Sequence, residues 1–369
     1  MKKIYYITFS SIPSALPSSL QIIKTCESLS RQGYNVTLIK PGTGDKKISI
    51  RKYYDLKETI NIKEFISIRQ FPQGLSFYLY SFYCLFLILK EKKSISITRN
   101  YFLCFLLLLF KRKTILEIHH DTNLEGRITK FILRYFNFFN KKKLIKIISI
   151  TQSVKELFIK KYFVRAQKIQ VLPSGSSIKI NFLPKQNFNK RMKIGYFGSF
   201  SSSKGVNTLM RLSKIDPQND YFIYGVNKED LSKIKKTNYN KNLFLRQNIP
   251  YKDIPKKMIE MDILTLPYTK IVKSAGNVDD ISKFTSPLKL FDYLAVGKLI
   301  ISSNLPVFKE VINSRNAFFV KNFENIYEWK KNIVFAKNNR QKTLIIARNN
   351  YELSKKYNHL KRVTSYLNF

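Results

Sequence analysis

The stretch Ser286-Pro-Leu-Lys-Leu-Phe-Asp-Tyr-Leu-Ala-Val-Gly297 gathers residue types that could hold an anion and a polyol side by side. Ser286 is a good N-cap and Pro287 suits the first helical position, so the pattern predicts a helix that starts there and stops at Gly297. Leu288, Phe291, Leu294 and Ala295 recur at helical spacing and can bury one stripe, which leaves Lys289, Asp292 and Tyr293 on the other side. The helix start offers backbone N–H groups and the positive end of the dipole. With Lys289 nearby these favour a phosphate, and Asp292, one to two turns further in, can accept from sugar hydroxyls. The same residues also suit an ordinary capped core helix with a solvated carboxylate, and both readings stand at this point. A second stretch, Gly198-Ser-Phe-Ser-Ser-Ser-Lys204-Gly205, joins a strand to a helix. Its backbone and hydroxyl donors could meet a phosphate while Lys204 supplies a point charge. It matches neither the Walker loop nor the dinucleotide fingerprint, and taken alone it reads more readily as a plain βα turn.

These stretches need a scaffold, and the chain supplies one twice. Ile4 to Phe9 reads as a strand, Leu16 to Arg31 as a helix closed by Gly33, and Asn35 to Ile39 as the next strand: a βαβ unit, which demands a parallel sheet. Further strands are expected at Ser94 to Thr98, Thr114 to His119, Leu144 to Thr151 and Lys168 to Leu172. The second half repeats the plan, with strands at Arg191 to Phe197, Tyr221 to Tyr224, Asn242 to Leu245, Asp262 to Leu266, Leu299 to Ser302 and Ala317 to Val320. The apolar-poor segment from Ile180 to Lys190 reads as a linker. The expected architecture is α/β, two Rossmann-like doubly wound domains facing each other across a cleft. Residues 1–182 form the first, 183–352 the second, and 353–369 a terminal helix. Ligands of such sheets bind beyond the carboxyl ends of strands, where Ser10, Ser11, Arg99, Asn100, His119 to Asp121 and Thr151 to Ser153 fall.

Composition narrows the function. A chain of 369 residues, 44% apolar with 29 Phe and 22 Tyr, can bury large cores and is not disordered. Cys26, Cys84 and Cys104 lack metal-ligand spacing and fit a reduced, cytosolic compartment, and three histidines exclude a histidine-rich metal site. The formal charge of +42 raises a nucleic-acid partner, but the basic residues are spread along the chain without a nucleic-acid-binding motif. What remains points to an anionic substrate or an anionic membrane surface. No secretory signal precedes the first strand.

Gly195-Tyr-Phe-Gly198 with Lys204-Gly205, then Ile249-Pro-Tyr251 with Asp262 to Tyr268, then Ser286 to Ala295, resembles the family 4 glycosyltransferases, the retaining group 1 type of the GT-B fold. In the first half Ile12-Pro-Ser14 with Ser18-Ser-Leu-Gln21, Gly33-Tyr-Asn-Val-Thr-Leu38, Leu116-Glu-Ile-His119 and Val171-Leu-Pro-Ser-Gly175 look like that family's landmarks in the same order. The resemblance implies transfer of a hexose-type sugar from a UDP- or GDP-sugar, with retention and without a cofactor or obligatory metal. It places the diphosphate on Lys204, Gly198, Ser199, Gly205 and the N–H groups from Ser286 through Pro287 to Leu288 and Lys289. The ribose falls to Asp292, the donor sugar faces His119, and Ser18, Ser19 and Arg99 are candidates for the acceptor. His119, Lys204 and Asp292 are the expected catalytic set. His120 and His359 are expected to be bystanders, His359 on the surface of the terminal helix, which in the family crosses back to brace the acceptor-binding first domain while the second holds the nucleotide sugar.

Two departures bear on the donor site. The family pairs two glutamates eight positions apart, where this chain has Phe284 and Asp292. Sugar contacts would then fall to Asp279, Asp280 or the backbone of Ala275 to Asn277. An arginine usual after the loop glycine is Ser199, which leaves Lys204 without that neighbour.

The segment from Gly126 to Lys146 has no acidic residue. It interleaves Arg127, Lys130, Arg134, Lys141, Lys142, Lys143 and Lys146 with seven apolar residues from Phe131 to Phe139. This is the composition of a helix lying in a membrane interface, with Gln70 to Leu89 and Tyr101 to Phe110 adding apolar surface. The rival reading puts the aromatics in the core and the lysines in water. The expected protein is a peripheral enzyme on the cytoplasmic face of a bacterial membrane, acting on a lipid-linked oligosaccharide or a growing surface polysaccharide. The alternative from another class is a non-catalytic membrane- or nucleic-acid-associated protein that kept the fold.

Overall fold

The computed structural model describes residues 2–42, 49–65, 73–91, 93–180, 191–235, 240–273 and 280–367. The chain forms two compact units, Met1–Ser174 with His359–Phe369, and Gly175–Asn358. Nearly all of the expected linker, 181–190, lies outside the described residues.

In the first unit the chain runs β1 (Lys3–Ile7), α1 (Pro17–Arg31), β2 (Asn35–Pro41), α2 (Ile50–Tyr54), β3 (Asn61–Phe65), α3 (Gln73–Leu89), β4 (Ser94–Thr98), α4 (Tyr101–Leu109), β5 (Lys113–Ile118), α5 (Arg127–Tyr135), β6 (Leu144–Ser149), α6 (Gln152–Tyr162) and β7 (Ile169–Val171). The strands form one sheet in the order β3-β2-β1-β4-β5-β6-β7, and every pairing is parallel. A parallel sheet is covered on both faces, so its inner strands can be apolar throughout; β1 and β4 are buried along almost their whole length. Ile22, Cys26 and Leu29 of α1 pack on Ile4, Val36 and Ile97. β3 was not expected. It is an exposed edge strand carrying Lys63 and Glu64, so it lacks the apolar run that marks its neighbours.

Two helical expectations are corrected here. α5 ends at Tyr135 instead of running on to Lys146. Phe138 and Phe139 turn into the core, and Lys146 lies on β6, donating to the Ser365 carbonyl at 2.6 Å. His359 is not on the surface. It opens α14 (His359–Leu367), is 4% exposed, and lies on the helix whose Val363 and Tyr366 join the α1 core. Gln70 to Pro72 lie outside the described residues.

The second unit runs β8 (Lys193–Phe197), α7 (Val206–Ile215), β9 (Asp220–Val226), α8 (Lys228–Lys235), β10 (Leu243–Gln247), α9 (Ile254–Ile259), β11 (Ile263–Leu266), α10 (Leu288–Ala295), β12 (Leu299–Ser303), α11 (Pro306–Lys309), β13 (Ala317–Val320), α12 (Ile326–Asn338) and α13 (Arg340–Ser354). Its sheet, ordered β10-β9-β8-β11-β12-β13, is again parallel. Strand order reverses between β8 and β11, and a ligand crevice opens beyond the carboxyl ends of strands at such a reversal. Gly198 follows β8, and Pro267 to Thr269 follow β11.

Candidate functional site

The second unit assembles a cationic socket at that reversal. After β8 the backbone turns at Gly198, with φ +152°, and after the 3-10 turn Ser202–Lys204 it passes through Gly205 at φ +81° into α7. A side chain at Gly198 would collide with the Nζ of Lys289, and one at Gly205 with the Pro267 carbonyl, so φ favours glycine at both positions and close approach to backbone demands it at Gly205. Thr269, after β11, ties the turn down by donating its N–H and its hydroxyl to the Ser203 carbonyl at 3.2 and 3.1 Å. Tyr196 fixes the loop by donating to the Ser199 carbonyl at 2.9 Å.

Into this loop α10 delivers Lys289. Its stem is partly exposed, but the amine is sealed from solvent and has no hydrogen-bond partner among the described residues. It stands 3.9 Å from the centroid of the Tyr196 ring and 5.2 Å from that of Tyr268, whose ring Lys204 also addresses at 4.9 Å. Burial pushes Lys204 down to about 8; burial and then the charge of Lys204 push Lys289 well below the ordinary lysine range. Aromatic faces return about 2 kcal/mol to a desolvated cation, against several kcal/mol for taking an ammonium out of water, so the rings do not make up the deficit. Among the described residues no acid forms an ion pair with either amine. Ser199, where the family has an arginine, is exposed, and Lys289 is the second amine beside Lys204.

The start of α10 differs from expectation. Pro287 is extended, with φ −71° and ψ 127°, so it occupies the cap position, where it has no side-chain hydrogen bond to give; the first helical residue is Leu288. The apolar stripe also fails to leave a wet face, because every residue from Leu290 to Ala295 is buried. Asp292 is therefore no solvated carboxylate. Its Oδ1 accepts from Ser176 Oγ at 2.5 Å and Tyr251 OH at 3.0 Å. Burial raises Asp292 to about 6, with both hydroxyls pulling back toward the ionised form. Ser176 is itself positioned by its N–H, which donates to the Tyr357 carbonyl at 3.0 Å. Tyr251 lay in a quoted motif without a role assigned, and Ser176 just beyond one; no periodicity marks either. Tyr196 and Tyr268, the walls of the socket, were missed because a ring at a strand end looks like core.

Ala275 to Asn277 and Asp279 lie outside the described residues. Asp280 does not offer a free carboxylate: its Oδ1 accepts from the N–H groups of Val272 and Ser282 at 3.1 and 2.8 Å.

In the first unit the expected residues meet around Glu117. The side chain of Arg99 is 18% exposed, its Nε donates to Glu117 Oε2 at 2.7 Å, and one guanidinium nitrogen is buried without a partner. Arg99 thus stands at the end of β4, as expected, but paired with a carboxylate of its own unit. Tyr6 donates to the same oxygen at 2.7 Å, while Arg362 and Tyr366 of α14 address Oε1. Burial would raise Glu117, but Arg99 and Arg362 outweigh it and hold the carboxyl well below the usual range. His119 Nε2 lies 3.5 Å from Glu117, and burial followed by Arg99 drives the imidazole down to about 3, so it is neutral at any working pH. Ser19 is fully buried and its hydroxyl donates to the Ser11 carbonyl at 2.8 Å; Ser18 remains partly exposed.

Comparison with known proteins agrees with this arrangement. Residues 20–178 match the model of Glycosyltransferase Family 4 and residues 179–353 that of Glycosyl transferases group 1. Among solved structures, Anabaena HepE in complex with UDP and glucose is 14% identical over 99% of this chain and 98% of its own, with a TM-score of 0.69. TarM of S. aureus, solved with UDP, is 12% identical over 100% and 99%, with a TM-score of 0.73. A glycosyltransferase from Rickettsia africae is 16% identical over 99% and 97%, with a TM-score of 0.72. No curated protein sequence is significantly similar to the chain. With both family models matched in order across residues 20–353 and two parallel sheets flanked by helices, the chain belongs to the group 1 glycosyltransferases of the GT-B fold.

Proposed function

We propose that this enzyme moves a hexose from a UDP- or GDP-sugar to a lipid-linked or growing polysaccharide acceptor, with retention at the anomeric carbon. The observation that carries the donor half is the pair Lys204 and Lys289, set against each other at the sheet reversal with the Lys289 amine unpartnered. A diphosphate supplies the missing counter-charge, and Asp292, held by Ser176 and Tyr251, accepts from the ribose hydroxyls. UDP is the nucleotide in the HepE and TarM structures, which makes it the first donor to try.

As the bond from the anomeric carbon to the β-phosphate oxygen breaks, negative charge grows on that oxygen, and preorganised cations stabilise it as it forms. The departing phosphate can take the proton of the attacking hydroxyl, so Phe284 in place of a carboxylate does not stop the chemistry. His119, neutral, would serve the donor sugar as a hydrogen-bonding group rather than a charge. Because lysines meet the phosphate charge, transfer is expected to persist in EDTA.

The test is nucleotide binding followed by transfer. UDP or GDP should raise the melting midpoint. Lys204→Ala should lower donor affinity and turnover by about ten- to a hundredfold, the worth of one charge-assisted contact of roughly 1.5 to 3 kcal/mol. Undiminished transfer by a folded Lys204→Ala protein would remove the phosphate role.

The acceptor half rests on the surface of the first unit, where exposed apolar residues of α3 and α5 lie among cations. This supports a peripheral enzyme at an anionic membrane surface, the cytoplasmic face of a bacterial membrane.

A further inference from the structure

Among the described residues the amine of Lys289 is sealed and unpartnered, and the groups facing it are cationic or neutral. Tyr196 presents its ring from β8, Tyr268 its ring from the segment after β11, and Lys204 its charge from the turn after β8. On the helix of Lys289 itself, the Tyr293 hydroxyl accepts from the Phe197 N–H at 2.9 Å, and the carboxylate of Asp292 is occupied by Ser176 and Tyr251. No acid among the described residues forms an ion pair with Lys204 or Lys289.

Two ammonium groups over one ring, that of Lys289 sealed from water, repel each other, and the rings do not offset the loss of hydration. The empty socket relieves this by keeping one amine neutral. A diphosphate reverses the balance, because two anionic phosphoryl groups favour two protonated amines and offer them acceptors. We propose that the donor site binds its diphosphate together with a proton, which lodges on Lys289 and turns a caged neutral amine into the second phosphate-holding ammonium. The tighter-burial member of the pair is Lys289, which burial and Lys204 hold in the neutral form, whereas Lys204 is pushed only to about 8 and stays largely charged at neutral pH. The protonated amine then also has a proton ready when the β-phosphate leaves with extra charge. Donor binding therefore weakens as pH rises, and the enzyme couples donor occupancy to protonation.

This rests on the diphosphate reading of the socket, and the experiment separates the two. UDP is titrated into the whole protein at pH 8 by calorimetry in buffers of different ionisation enthalpy, the slope giving protons taken up. At this pH the phosphates of UDP are fully ionised and contribute none. The expected uptake at pH 8 is about one and a half protons per UDP, one on Lys289 and about half on Lys204, with affinity falling at least about tenfold per pH unit above neutrality. Lys289→Arg, which carries a permanent charge, should still bind UDP while uptake falls to the smaller share of Lys204. Binding of UDP with no uptake, or uptake unchanged in Lys289→Arg, overturns the proton coupling and leaves the donor site standing. Failure of UDP and GDP alike to bind overturns both.

Discussion

Asp292 sits in poor surroundings for a carboxylate, and that gives its role a signature. Its folded pKa of about 6 lies above its ordinary value of 3.8. The folded state therefore holds the proton more tightly than the unfolded chain. The resulting stability is fully present below the unfolded value and is lost as pH rises through about 6. At neutral pH the ionised group costs the fold up to about 3 kcal/mol, a charge that sugar hydroxyls would repay on binding. Asp292→Asn keeps an acceptor for Ser176 and Tyr251 and removes the charge. It should melt at the same or a higher temperature at pH 7.5 while UDP affinity drops about tenfold or more. A variant that is destabilised yet binds UDP normally would make Asp292 a structural residue. Asp292→Glu, which restores the family's side chain, is expected to be the poorer protein. With Ser176 at 2.5 Å and buried neighbours on both sides, one extra methylene overpacks the site by roughly 1 to 3 kcal/mol. Lys204, Lys289 and Asp292 stood out in the sequence beside a glycine-rich turn and a helix start, where a plain turn and a capped core helix fitted the same residues, and only their order along the chain with the other family landmarks favoured a donor site. The aromatic cage could not, since Tyr196 and Tyr268 follow the same alternation as core residues.

Elements were legible where burial dictated composition. Each inner strand is an apolar run bounded by polar or glycine residues, and each was placed within a few residues; β3, exposed and charged, carried no such run. Helix ends were less legible. Ser286 and Pro287 fit a capped start, yet the chain stays extended through Pro287. α14 was placed, but not the burial of its His359, because a polar nine-residue helix reads as surface unless its partner is known. That partner is Glu117. Tyr6, Arg99, Arg362 and Tyr366 all converge on its carboxylate, which fastens α14 to β1, β4 and β5. Glu117→Gln leaves two buried guanidinium groups without their charge partner and should cost about 3 to 5 kcal/mol. The loss should show as a lower denaturant midpoint and faster hydrogen exchange along α14. Because arginines hold Glu117 low, its contribution is present above the unfolded glutamate value and disappears as pH falls through the folded one, so the native protein should lose more stability in acid than the variant. Equal acid sensitivity of the two would mean the ion pairs contribute nothing net.

At the scale of the molecule the question is what a chain of net charge +42 does with exposed aromatic residues. Among the described residues no helix is long and apolar enough to cross a membrane. α3 nevertheless has no charged residue from Gln73 to Leu89 and buries only one face, with Tyr80, Cys84 and Ile88 inward and Leu75, Leu79, Phe82 and Phe86 outward at helical spacing. A second exposed group, Ile128, Phe131 and Tyr135 on α5 with Phe136 after it, is joined to this stripe beneath the surface by the buried rings of α4, Phe102 against Phe82 at 5.9 Å and Phe105 against Phe136 at 5.1 Å. Neither sequence reading of this region holds alone, because half its aromatics are core and half are exposed. The cations sit with the exposed half: Lys90 lies 4.5 Å over Phe86 and Arg134 5.6 Å over Tyr135. Neither α3 and α4 nor the segment from Gly126 to Lys146 carries an acid. An apolar patch of this extent suits a docking surface, and with cations beside it and no acid on α3, α4 or Gly126 to Lys146 the occupant we propose is an anionic bilayer. Each engaged lysine or arginine contributes about 1 kcal/mol near such a surface, screened as salt rises. The protein is therefore expected to sediment with anionic and not with neutral liposomes, and to be released at high salt. Changing Lys141 to Lys143 to glutamate should weaken sedimentation by removing charge. Phe82→Ser with Phe86→Ser, both exposed, should weaken it at low salt without lowering the melting point. Indifference to both liposome types would remove the membrane surface, and with it the reason to look for the acceptor on a lipid.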